Sequence, residues 1–221
     1  MLTVIPRKIH YCWLSGEPYP HLVRKCMTSW DRVLKGYELV LWDMDKAKTI
    51  ESAWVDAAIA QRKWAFAADY IRIWALHLEG GIYLDSDVEV VRDFGDLLDA
   101  PLLLGEEGGT GMVEAAVMGA EAGCAVLKKA LDSFGTEITD ETLPQRLSRV
   151  IGKDVKLLDE SVLSPKDWRT GEIRMTDDTR TIHHFAGAWL SPKERWAQRL
   201  GRIFGAWAVP CTRWVFNRFG G

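Results

Sequence analysis

Apolar residues recur along the chain with two different periods. Over residues 9–14 they fall on alternate positions, with Ile9, Tyr11 and Trp13 on one face, which predicts a strand. The turn-rich run Ser15-Gly16-Glu17-Pro18-Tyr19-Pro20 ends it. Leu22, Val23, Cys26, Met27 and Trp30 then recur at helical spacing, as do Ile50, Ala53, Trp54, Ala57 and Ala58. A strand is predicted between these helices, over residues 37–42. A third helix is predicted over residues 62–79, stopped by Gly80-Gly81, and a third strand over residues 82–91. Further on, residues 102–104, 116–118, 155–158 and 181–184 read as short strands, and residues 121–134 and 143–150 as helices. Strands alternating with helices predict an α/β sheet rather than a bundle or a sandwich.

Composition narrows the class. With 48% hydrophobic and 27% charged residues in 221, the chain has the balance of a globular domain and enough length for a sizeable core. A net charge of −3 excludes a basic nucleic-acid binder. The four cysteines, Cys12, Cys26, Cys124 and Cys211, form no C-x-x-C pair, so they are read as reduced thiols of a cytoplasmic protein. The N-terminus lacks the pattern of a signal peptide, and no run of about 18 apolar residues occurs. Charge divides the chain in two. Residues 191–221 carry six cations against Glu194 alone, a balance of +5 that leaves −8 on the preceding part. The expected organisation is a domain over residues 1–190 and a basic, aromatic tail over residues 191–221.

The sharpest chemical signal is Asp85-Ser86-Asp87, on the third predicted strand. Alternate residues of a strand share a face, so the two carboxylates are expected side by side, with Cα atoms roughly 6.6 Å apart. Oxygen ligands of this kind suit Mn²⁺ or Mg²⁺. The preceding helix has an apolar stripe of Trp64, Ala67, Ala68, Ile71, Ala75 and Leu78, interrupted by Asp69 and Arg72. Three residues apart, these two lie on one helix face. They read either as a structural ion pair or as polar hooks for sugar hydroxyls.

In sequence, Ala65-Phe66-Ala67-Ala68-Asp69-Tyr70-Ile71-Arg72, followed by Gly80-Gly81-Ile82-Tyr83-Leu84-Asp85-Ser86-Asp87, resembles glycosyltransferase family 32, the DXD-containing sugar transferases. The segment is also similar to the catalytic core of the large glucosylating toxins. Residues 5–16 resemble the family's first strand, and residues 182–189 a late element ending in Trp189. The resemblance implies a GT-A, Rossmann-like fold and a retaining transfer from a nucleotide-diphosphate sugar to a glycan, lipid-linked or protein acceptor in polysaccharide synthesis. It further implies that Asp85 and Asp87 bind metal and nucleotide and that Asp69 and Arg72 hold the donor sugar. By the same resemblance Tyr83 lies in the nucleotide pocket, Trp13 flanks the base and Trp189 reaches the diphosphate. This chain departs from relatives at Ala188, where Ser is common, and at Glu114, where Asn is common.

Two carboxylates cannot fill an octahedral site. His183-His184 is the chain's only His pair, and on a strand the two rings point to opposite faces, so one at most reaches the metal. His184 is the favoured ligand, with His183 as its packed partner. A haloacid-dehalogenase-type phosphatase would also carry D-x-D, but at the end of an N-terminal strand and before a Gly-rich turn. A calcium loop is broken by Glu89 and Val90. A non-catalytic carbohydrate-binding protein is the third alternative. In the tail, Trp196, Leu200, Ile203, Phe204 and Trp207 form an apolar stripe beside Arg195, Arg199 and Arg202. This pattern suits either a helix lying on the inner face of a membrane or one packed on protein.

Overall fold

The computed structural model of the protein describes residues 4–108, 110–152, 155–168 and 170–187. The expectations for Ala188, Trp189 and the tail fall outside these residues. In chain order the elements are β1 (Lys8–Cys12), α1 (His21–Val33), β2 (Glu38–Trp42), α2 (Met44–Ala47), α3 (Ala53–Ala60), α4 (Trp64–Glu79) and β3 (Gly81–Leu84). They continue with β4 (Val88–Val90), β5 (Leu102–Leu103), β6 (Val117–Ala120), α5 (Ala125–Asp132), α6 (Leu143–Val150), α7 (Glu160–Leu163) and β7 (Thr181–His183). Among the described residues no helix is long and apolar enough to cross a membrane.

Five strands form one sheet in the order β2-β1-β3-β6-β5. β1 is parallel to both β2 and β3, whereas β6 is antiparallel to β3 and to β5. Alternation then decides which way each side chain packs. Ile9, Tyr11, Ile82 and Leu84 meet Trp30 of α1 on one face. Cys12, Tyr83 and Met118 meet α3, α4, α5 and α6 on the other. Both faces are covered, as in other α/β sheets. Trp30, Trp42 and Trp54 are fully buried, as their spacing predicts, while Trp64 and Trp74 are partly buried. Leu78, expected in the apolar stripe of α4, stands 55% exposed in its last turn. Residues 155–158 form no strand; Leu158 makes a single bridge to Gly105.

The third predicted strand is two strands. β3 ends at Leu84, Asp85-Ser86-Asp87 forms a turn closed by Val88 N–H donating to Asp85 O at 3.0 Å, and β4 leaves to pair with β7. Alternation across residues 82–91 is unbroken because both pieces happen to keep the same phase. The edge of β4 is held from α1, where Trp30 Nε1 donates to Val88 O at 2.8 Å and Ser29 Oγ accepts from Val90 N–H at 2.8 Å.

The joint between α4 and β3 demands glycine. Gly80 sits at φ +66°, and a Cβ there would lie 2.8 Å from Ala122 N and 2.9 Å from Pro6 Cδ. Gly81, at φ +112°, would bring a Cβ to 2.8 Å from Lys8 O. With no side chain at either position, the helix turns straight into the strand. This fixes Arg72 and Asp69, about two and about three turns back on α4, relative to Asp85 at the strand's end.

Candidate active site

Ligands of open α/β sheets bind beyond the carboxyl ends of the strands, where the strand order reverses. Here that point lies between β1 and β3, with β2 on one side of β1 and β6 beyond β3. Trp13 follows β1 and Asp85 follows β3, so the sequence-predicted residues flank the switch point.

Arg72 organises the acidic side. Its side chain is 7% exposed, lies 3.1 Å from Asp69 Oδ1 and 3.1 Å from Asp85 Oδ2, and donates to Ala115 O at 2.6 Å and to Ala68 O at 3.3 Å. Arg72 is therefore a brace between two carboxylates, with three hydrogen bonds and an ion pair to Asp69. Its guanidinium also lies over the Tyr83 ring, 4.6 Å from the centroid. Tyr83 is 1% exposed and donates its hydroxyl to Asp85 Oδ1 at 3.0 Å, so it supports Asp85 from beneath rather than lining a pocket. Burial pushes the Asp85 carboxyl upward, against the pull of Arg72. Burial likewise lifts Asp69 to about 6 despite Arg72, and its side chain remains 21% exposed.

Asp87 is 2% exposed, and its Oδ2 accepts from Ala186 N–H at 2.7 Å. Pairing of β4 with β7 sets Val88 against His183 and brings the His183 ring to the two aspartates. One oxygen each of Asp85 and Asp87 and one His183 nitrogen lie within 4.8 Å of one another. Nε2 of His183 is 3.7 Å from Asp87 Oδ1, and Nδ1 is 3.5 Å from Glu114 Oε2. Among the described residues neither ring nitrogen makes a hydrogen bond. Burial would lower this imidazole, but Glu114 and Asp87 outweigh it and raise it to about 9. Phe185, held at φ +52°, packs its ring on His183 with centroids 3.9 Å apart. A bulky residue in that backbone region is strained, and such strain concentrates at functional sites.

His184 corrects the sequence expectation. It faces away from the aspartates, its Nε2 2.9 Å from Glu89 Oε2. The two rings do take opposite faces, but the register of β7 on β4 turns His183 inward. Glu114, noted in the sequence only as a departure from relatives, is 0% exposed beside His183. Its Oε1 accepts from Ala116 N–H at 2.6 Å. Burial would raise its carboxyl, but His183 and the Ala116 hydrogen bond hold it low. The same segment locks the turn, since Ala116 O accepts from Asp85 N–H at 2.8 Å.

On the other side of the switch point, Trp13 stands in the wall of a cleft of about 530 Å³ with Glu17, Asp43, Asp45, Arg62 and Trp64. The indole is half-buried, donates Nε1–H to Glu17 O at 2.7 Å and packs on Tyr19 with centroids 4.9 Å apart. Asp43 and Asp45 were missed in the sequence, although they directly follow β2 at the same sheet edge. Arg62, in this wall, also has a positive φ, +55°.

Residues 20–104 match the family described as glycosyltransferase sugar-binding region containing DXD motif. A stretch of 101 residues is 30% identical to an uncharacterised glycosyltransferase of Acanthamoeba polyphaga mimivirus, covering 43% of this chain and 40% of that protein. The chain spans about two fifths of the length of the curated relatives it matches. Its fold is similar to that of a glycosyltransferase involved in glycosylation of the major capsid of PBCV-1, with a TM-score of 0.53 at 14% identity over 88% of this chain and 98% of that one. It is similar also to the PaToxG glycosyltransferase, with a TM-score of 0.51 at 16% identity over 66% of this chain and 67% of that one. The Asp85-Ser86-Asp87 turn and the Asp69–Arg72 brace behind it lie within the matched residues. Residues 20–104 thus match the DXD-containing sugar-binding region of glycosyltransferases, on a sheet whose fold is similar to that of solved glycosyltransferases.

Proposed function

We propose that the protein transfers a sugar, with retention, from a nucleotide-diphosphate donor to a glycan or lipid-linked acceptor, and that the reaction depends on Mn²⁺ or Mg²⁺. The observation that carries the reading is the convergence of His183 on Asp85 and Asp87, the two acids of the turn within the matched sugar-binding region. Two carboxylates and a buried imidazole with no hydrogen bond among the described residues are a donor set that fits such a cation. Asp85, Asp87 and His183 would hold it, and when bound it would neutralise charge developing on the leaving diphosphate.

The chain's own side chains supply the rest. Trp13 stacks on the donor's base at the end of β1, and Asp43 and Asp45 across the cleft accept from ring hydroxyls. Asp69, partly exposed beside the brace, accepts from hydroxyls of the transferred sugar. Arg72 keeps Asp69 and Asp85 apart and oriented. This division of labour supports a donor lying from Trp13 across the switch point to Asp69.

The test is release of free nucleotide from a panel of nucleotide-diphosphate sugars with Mn²⁺. One donor should be turned over, and Asp87→Asn should lower the rate by at least about 100-fold, the scale on which loss of one charge-stabilising group acts. No turnover of any donor, or an Asp87→Asn variant as fast as the wild type, would overturn the reading.

A further inference from the structure

A fourth carboxylate lies behind the cluster and takes no place in it. Glu114 is fully buried, and its ligand atoms fall outside the group formed by Asp85, Asp87 and His183. One of its oxygens is committed to Ala116 N–H at 2.6 Å. The other, Oε2, makes no hydrogen bond among the described residues and faces His183 Nδ1 at 3.5 Å. A buried carboxylate without a partner is costly. On this side it meets the imidazole, which also faces Asp87 through its other nitrogen, and the buried Ser164 hydroxyl. Phe185 packs against the ring, with centroids 3.9 Å apart.

We propose that Glu114 is a positioning residue for the cation site. By taking the Nδ1–H of His183 it selects the tautomer whose Nε2 lone pair is directed at the Asp85 and Asp87 carboxylates, which makes the ring a third donor. The inference rests on the cation site proposed above. It has the form of a carboxylate–histidine–metal relay, in which the outer carboxylate orients the ring and raises its basicity. Oxygen chemistry explains why a carboxylate does what an amide cannot. Glu114 faces two N–H groups, that of Ala116 and that of His183, and has an acceptor for each. A glutamine has one acceptor oxygen. If the oxygen stays on Ala116, the NH₂ meets Nδ1 and favours the opposite tautomer, with its proton on Nε2.

The experiment is a titration of the metal-free protein with MnCl₂ alone, read by the electron paramagnetic resonance signal of free Mn²⁺. Glu114→Gln should bind Mn²⁺ about 10–100-fold more weakly than wild type, the usual scale for loss of an outer carboxylate. In a His183→Ala background the same substitution should change Mn²⁺ affinity by less than about twofold, because Glu114 acts through the ring. A role confined to stability would lower the melting temperature and leave Mn²⁺ affinity unchanged, and that result overturns the inference. Should Glu114→Gln fail to fold, ¹⁵N spectra of the wild-type His183 ring with bound Zn²⁺ decide the matter. A proton on Nδ1 supports the inference and a proton on Nε2 overturns it. A wild type that binds Mn²⁺ no better than Asp87→Asn would instead overturn the cation site itself.

Discussion

The two halves of the site are built in different ways. The Asp69–Asp85 half is local. One helix, two glycines and one strand carry its residues within a short contiguous stretch, and Arg72 ties them together. The His183 half is assembled at long range, from β7 pairing with β4, the Glu114 segment before β6, and α1 holding the edge of β4. Local geometry of the first kind is set by backbone chemistry and is hard to shift without strain. Geometry of the second kind depends on register, and one residue of slip would exchange His183 for His184.

The comparison predicts where the molecule breaks. Arg72→Ala should have the largest effect on stability, about 3–5 kcal/mol, because it removes a buried guanidinium and strands two partly buried carboxylates. Urea unfolding measures it, and a loss under about 1 kcal/mol would mean the brace is dispensable. Trp13→Ala should weaken donor binding by about 1–3 kcal/mol, the scale of base–aromatic stacking, while kcat changes little. A rise in KM with no change in folding is the expected readout. An unfolded variant would instead assign Trp13 to the core.

Gly80→Ala should cost about 1–3 kcal/mol, since the position combines φ +66° with a Cβ 2.8 Å from backbone. A melting temperature within a degree of wild type would show that the joint can yield. The smallest effect concerns pH. His183 in the metal-free protein is raised from 6.5 to about 9, so its charged form is favoured by folding. The stability it contributes is complete below about 6.5 and is lost as pH rises through about 9. The melting temperature of the metal-free protein should fall by a few degrees across that window, and this fall should be absent in His183→Asn.

The same contrast explains what was legible in the sequence. The stripe of α4, the Gly80-Gly81 stop, Asp69, Arg72 and the D-x-D turn can be read because their signals lie within a few residues of one another. The break between β3 and β4 is hidden, because alternation continues through Val88 and Val90 on a different sheet. The buried position of Tyr83 is hidden for a related reason. Its phase on the strand is correct, but helices cover that face as well. The choice between His183 and His184 depends on pairing with a strand some 95 positions away, and no local pattern carries that register. Glu114 reads as an isolated acid in a loop until the fold sets it beside His183.

The most direct test of the account is the Mn²⁺ concentration needed for half-maximal nucleotide release, compared between His183→Ala and His184→Ala. His183→Ala should raise it at least about tenfold, as for loss of a metal ligand or its support. His184→Ala, whose ring is turned to Glu89, should change it less than about twofold. The reverse order, or equal shifts in both variants, would contradict the account.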